Sequence, residues 1–241
     1  MLIYFVLLIT SFFGSFTQSV AGFGSSLIIM SFLPLVLPLF KATAINGIIA
    51  MVLNIAILFR YRKDINYKIV VFPAIVSLIV CHFAIDFGIK ADTNLLKMIY
   101  AIFMIILAIY FIFFEEKVKI KSNKITLCLC AAISGTTTGL FGIGGPPMAL
   151  YYINCTKNKR EYITSLQLFY FMNNIYGTGL RIMNGIITKD IIAYLIFGAL
   201  ATIVGQSIGG KMIDKISNKA LRFIIYSVVL CSGIIYFYQC L

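Results

Sequence analysis

Two glycine clusters are the residues of this sequence best suited to bind a ligand. They are residues 22–26 (GFGSS) and residues 142–147 (GIGGPP). A backbone reversal at such glycines, followed by a new helix, would point the first N–H groups of that helix into a cavity. Because a helix N-terminus carries about half a positive elementary charge, this arrangement favours an anion. We therefore expect each cluster to form part of an anion site.

The residues around the clusters fit helix starts. Ser25 and Ser26 can cap the first new helix and offer hydroxyl groups. Pro146 and Pro147 suit the first turn of the second, where a missing N–H costs nothing. The alternative is that these glycines only allow two helices to pack closely.

Further polar residues lie within apolar sequence. Asn54 and Asn174 are 120 residues apart, as are Gly22 and Gly142, and we expect both asparagines to contact the substrate. Asn46 fits substrate contact and helix–helix bonding equally well. Arg181 is either an anion ligand or a side chain that snorkels to the outer interface. The predicted substrate-binding residues are Gln18, Gly22, Gly24, Ser25, Ser26, Asn54, Thr138, Gly142, Gly144, Gly145, Pro146, Asn174 and Arg181.

His82 and Asp86 form a separate candidate pair. They are four residues apart and therefore share one face of a helix. Such a pair in a membrane helix suggests a proton relay. The alternative is that Asp86 already lies at the outer surface, near Lys90, with His82 just below it.

The composition is that of an integral membrane protein. Of 241 residues, 61% are hydrophobic and only 12% are charged, and the mean hydropathy is +1.00. This excludes a soluble enzyme, a nucleic-acid-binding domain and a disordered chain. One histidine, no HExxH, no CxxC and no GxxxxGK[ST] leave little from which to build a catalytic or metal site. We therefore predict no enzyme activity, no cofactor and no metal.

Charge-free runs define the membrane crossings. Six runs have the length of one helix, whereas residues 1–40 and 125–156 are too long for one crossing, and each contains a glycine cluster. If each cluster reverses the chain, 15 Lys and Arg fall on one side and 5 on the other. A single crossing of each long run would instead divide them 10 to 10. The positive-inside rule favours the reversals.

These features predict an all-α integral membrane protein of two inverted repeats, residues 1–120 and 121–241. Each repeat would contain a Gly-rich broken or re-entrant helix hairpin plus three transmembrane helices. Both termini would lie outside the cytoplasm, and the membrane would be the cell membrane. Internal duplication of this kind is common in transporters.

Residues 17–26 (TQSVAGFGSS) and 139–147 (GLFGIGGPP) resemble the sulfite exporter TauE/SafE family. The resemblance implies a multi-pass permease for small anions, often sulfur-containing ones. Where the family motif often continues as a run of glycines, this chain has Ser25 and Ser26, which add two hydroxyls to the expected site.

We therefore predict a secondary transporter that exports a small anion by alternating access between the two repeats. The expected substrate is sulfite, an organosulfonate or a related sulfur-containing or carboxylate anion. The alternative is a membrane subunit or channel-like partner of a larger complex. The expected partners are the anionic substrate and the lipid bilayer, with no nucleic acid, and a homo-oligomer is left open.

Overall fold

A computed structural model describes residues 1–113, 123–187, 191–212 and 218–240. Within these ranges the chain forms ten α-helices and no strand. The helices are α1 (Leu2–Ala21), α2 (Ser25–Phe32), α3 (Leu39–Arg60), α4 (Tyr67–Lys90), α5 (Thr93–Phe113), α6 (Lys124–Phe141), α7 (Gly145–Tyr152), α8 (Lys159–Met183), α9 (Ile191–Met212) and α10 (Asn218–Gln239). The predicted all-α, multi-pass architecture is confirmed for these residues.

Seven of the described helices are long and apolar enough to cross a membrane: α1, α3, α4, α5, α6, α9 and residues 221–239 of α10. Helix α8 is longer than any of them, at 25 residues, but it is not in this set. Gln167, Asn173 and Arg181 lower its hydropathy, and all three are buried inside the protein. Polar residues in a membrane protein concentrate where protein, rather than lipid, surrounds them.

Both glycine clusters break a helix and reverse the chain. Helix α1 ends at Gly22 (φ 87°) and α6 ends at Gly142 (φ 68°), a left-handed conformation that favours glycine. After the first break, the backbone of Ser25 packs on Gly14, eight residues before Gly22. Eight residues correspond to about 12 Å of helix. Helix α2 therefore runs back beside α1.

The second break has the same form. Ser134 lies eight residues before Gly142, and its hydroxyl donates a hydrogen bond of 2.7 Å to the carbonyl of Gly144. Helix α7 therefore starts beside the middle of α6 and runs back along it. The two predicted reversals are present at the predicted glycines.

The helices pair across the middle of the chain. Helix α1 packs against α9 and α6 against α4, while α5 packs against α10 and α3 against α8. Glycines allow the closest of these contacts: a side chain on Gly205 would clash with the carbonyl of Phe12, and one on Gly135 with the carbonyl of Ser77. Small residues serve this purpose in membrane proteins, because helices there associate by close packing. The division at residue 120 stays a prediction.

Candidate functional site

A small cavity of about 30 Å³ lies where the two breaks meet. A side chain on Gly145 would come within 3.7 Å of the Cβ of Phe23, so the two breaks are in contact. The cavity is also lined by Ala50 and Asn54 of α3 and by Asn173 of α8, all near the middle of their helices. In a membrane-spanning molecule this places the cavity about halfway along the helices that cross.

Most of the predicted site residues line this cavity. Those that do are Gln18, Gly24, Ser26, Asn54, Thr138, Gly142, Gly144, Gly145, Pro146 and Asn174. Gly22, Ser25 and Arg181 are outside the lining. The geometry thus brings residues from six helices and both breaks to one place, and their contact with a substrate stays a prediction.

Six lining residues were not among the predicted ones: Phe23, Leu27, Ala50, Ile143, Tyr170 and Asn173. Ala50 and Tyr170 lie four residues before Asn54 and Asn174, one helical turn away on the same face. Helical spacing from the two predicted asparagines would therefore have found both. Phe23 and Ile143 lie inside the glycine clusters themselves.

A network of buried amides holds the first break. The side-chain oxygen of Gln18 accepts a hydrogen bond of 3.2 Å from the backbone N–H of Ser25, the first residue of α2. The Gln18 amide donates to Gln167 Oε1 (2.9 Å) and to Asn54 Oδ1 (3.4 Å). Gln167 in turn donates to the carbonyl of Gly22 (2.9 Å). The first N–H of α2 is therefore satisfied by the protein.

The second break is held in a similar way from the other half of the chain. Asn46 of α3 donates a hydrogen bond of 2.9 Å to the carbonyl of Gly142, as Gln167 of α8 does to Gly22. Tyr170 Oη donates to the carbonyl of Gly145 (2.9 Å). Asn46 was predicted either to contact the substrate or to bond one helix to another. The structure shows the second role, a hydrogen bond from α3 to the break after α6.

Arg181 caps a helix instead of reaching the cavity or the surface. It is 2% exposed, and its Nη2 donates to the carbonyls of Thr138 (3.0 Å) and Gly139 (2.8 Å) near the end of α6. A cation is favourable at a helix C-terminus, which carries partial negative charge. The prediction that Arg181 snorkels to the interface is wrong, because its side chain is turned inward onto α6.

His82 and Asp86 lie apart from the cavity on an exposed face of α4. Their side chains are 40% and 44% exposed, with His82 Nε2 3.6 Å from Asp86 Oδ2. His82 Nδ1 is 3.0 Å from Tyr176 Oη, so the pair links α4 to α8. The proton relay stays a prediction, and the pH dependence of flux in a His82→Ala variant would test it.

The described lining combines apolar and polar groups and includes no charged side chain. Besides Tyr170, it includes six side chains with amide or hydroxyl donors: Gln18, Ser26, Asn54, Thr138, Asn173 and Asn174. Non-helical backbone survives in a membrane only where protein buries it or it lines a cavity. Broken helices that meet at a cavity with amide and hydroxyl groups, in a chain of many spans, are typical of a multi-pass membrane transporter.

Comparison with known proteins agrees with this class. The sequence profile of the family described as "Sulfite exporter TauE/SafE" matches residues 7–236. The chain belongs to this family. It is also similar to a "Probable membrane transporter protein" of Methanocaldococcus jannaschii, with 25% identity over 257 residues, covering 95% of this chain and 93% of that protein. No solved structure matches the chain.

Proposed function

We propose that this protein is a secondary transporter that moves a small anion through the cavity between the two breaks. The observation that carries the proposal is that two helices, α2 and α7, start at one cavity whose described lining includes several amide and hydroxyl groups and no charged side chain. Backbone N–H groups and amide donors bind oxyanions without a titrating base. Sulfite, an organosulfonate or a related sulfur-containing or carboxylate anion fits this chemistry.

Reciprocal contacts support two inverted halves, residues 1–120 and 121–241. Helix α1 of the first half packs on α9 of the second, and α6 of the second packs on α4 of the first. The same reciprocity is present at the breaks, where Gln167 of the second half donates a hydrogen bond to Gly22 of the first, and Asn46 of the first donates one to Gly142 of the second. Halves related in this way can rock against each other around a fixed central site, which is alternating access.

The cavity is small in the described conformation. A volume of about 30 Å³ holds one or two water-sized groups. Hydrogen bonds join the halves at one end of the molecule: Asn66 donates to Glu161 (2.8 Å) and Thr164 donates to the carbonyl of Asp64 (2.9 Å). We assign this end to the cytoplasm, because the loops that meet there carry Lys and Arg. Both termini are then outside the cell membrane.

Export of an anion agrees with the membrane potential. Moving one negative charge outward is favoured by about 2.3 kcal/mol per 100 mV of inside-negative potential. Export therefore needs no coupling ion, whereas uptake would require one.

Flux measurements on the purified protein test the proposal. In proteoliposomes we expect saturable movement of at least one of sulfite, thiosulfate, methanesulfonate and acetate, accelerated by a potential that pulls anions. Empty vesicles are the control. Movement of none of these anions would contradict the proposal, and flux that never saturates would indicate a channel.

A further inference from the structure

We infer that the charged group of the substrate binds at the α2 end of the cavity only, and that the α7 end receives an uncharged part. This inference rests on the proposed function. It follows from a difference between two helix starts that the sequence otherwise repeats: Ser26 and Pro146 are each the second residue of their helix, 120 residues apart.

The start of α2 offers free backbone donors. The N–H of Ile28 is the first to bond within the turn, to the carbonyl of Gly24 (3.1 Å), and the N–H of Ser25 is taken by Gln18. The N–H groups of Ser26 and Leu27 lie between them, in the first turn, where an α-helix supplies no acceptor. Both residues line the cavity.

The start of α7 lacks the backbone donors at the two matching positions. Its second and third residues are Pro146 and Pro147, which have no N–H. Two hydroxyls near this start are already used, since Ser134 donates to Gly144 and Tyr170 donates to Gly145. The lining here includes Ile143, Pro146 and the ring of Tyr170. This end can accept an apolar group.

Asn54 gives an independent reason to place the charge at the α2 end. Its side chain is fully buried and lines the cavity, and its Nδ2 has no hydrogen-bond partner. Its Oδ1 accepts from Gln18, the same residue that binds the first N–H of α2. A buried donor without an acceptor is costly. An anion against the first turn of α2 would satisfy it.

The substrate class that fits is a small anion with one compact charged head. A molecule with a charge at each end would leave its second charge beside Pro146 and Ile143, at the end that lacks these two backbone donors. Burying a charge without partners is strongly unfavourable. We expect methanesulfonate to compete with sulfite for transport and ethanedisulfonate, which has two charged ends, not to compete.

Exchanging the two equivalent residues tests the inference. Ser26→Pro removes an N–H and a hydroxyl from α2, and proline is tolerated in the first turn of a helix. Pro146→Ser adds both groups to α7. We expect the sulfite flux of Ser26→Pro to fall by about 10- to 100-fold, because a charged acceptor loses two donors, and any loss of flux in Pro146→Ser to be at least about tenfold smaller. Equal losses in the two variants, or no loss in Ser26→Pro, would overturn the inference.

A second matched pair of variants tests the inference if Ser26→Pro does not give a monodisperse protein. Asn54→Asp replaces the free donor with an acceptor of the same size, whereas Asn174→Asp makes the same change in the second half. We expect a loss of flux at least about tenfold greater in Asn54→Asp. If the two variants lose the same amount of flux, the charged group of the substrate is not held at one end of the cavity. If wild type moves no anion, the proposed function fails first and this inference falls with it.

Discussion

At the scale of single residues, the buried polar side chains fall into those that bond the protein and those that remain available. Gln167, Asn46 and Arg181 are bonded to backbone carbonyls at the ends of α1 and α6. Asn54 keeps a free amide nitrogen inside the cavity. Asn46 and Arg181 also keep one unbonded atom each, but neither residue lines the cavity. A buried polar group is normally paired, so the unpaired donor in the cavity is the better candidate for a ligand. The distinction could not be made from residue type, since three of the four are amides.

Replacing Arg181 is expected to reduce stability. In Arg181→Met the carbonyls of Thr138 and Gly139 lose their side-chain donor, and we expect a loss of about 1–3 kcal/mol. The matched control is Arg60→Met at the corresponding place in the first half, because Arg60 is exposed. Thermal unfolding in detergent measures both. A lower midpoint in Arg60→Met than in Arg181→Met would contradict the capping role.

At the scale of elements, the sequence predicted the breaks because their cause is local. A left-handed φ favours glycine, so Gly22 and Gly142 mark the helix ends directly. The lengths of charge-free runs likewise located the spans. The role of Arg181 was missed because its partners on α6 lie 42 and 43 residues away, and nothing in the surrounding sequence indicates them. Tyr170 was missed although its spacing from Asn174 was available.

Gly144 is expected to tolerate no side chain. Its φ of −105° suits any residue, so the space around it determines whether a side chain can fit. A Cβ there would clash with Thr138 Oγ1 and approach the carbonyl oxygen of Ser134 to 2.9 Å. We expect Gly144→Ala to displace the start of α7, at a cost of about 1–3 kcal/mol, and to lower anion flux.

Gly179 supplies the control for Gly144→Ala. It lies in α8, and a methyl group added to it would meet no other atom within 4 Å, so Gly179→Ala should fold and transport like wild type. Flux in proteoliposomes at matched protein content compares the two variants. Wild-type flux in Gly144→Ala would show that the close approach of α7 to α6 is not needed for transport.

At the scale of the whole molecule, the fold and the distribution of Lys and Arg favour the same predicted topology. Lys63 precedes α4 and Asp92 follows it, and α4 has 24 residues, about 36 Å of helix, enough to cross the hydrocarbon core. The loop with Lys63 contacts the start of α8 through Asn66 and Glu161. Two loops joined by hydrogen bonds must face the same compartment. Lys121, also assigned to that compartment by the sequence, lies outside the described residues.

Cysteine labelling tests this topology in intact cells. On a background without the six native cysteines, all free thiols, Asp92→Cys should react with a membrane-impermeant maleimide, and so should a cysteine added after Leu241. Lys63→Cys should react only after the cells are permeabilised. The reason is the excess of Lys and Arg at the end of the molecule that contains Lys63, which the positive-inside rule assigns to the cytoplasm. Labelling of Lys63→Cys from outside, with protection of Asp92→Cys, would show that the protein lies in the membrane the other way round. The inside-negative potential would still drive anions out of the cell, but through a protein inserted in that opposite orientation.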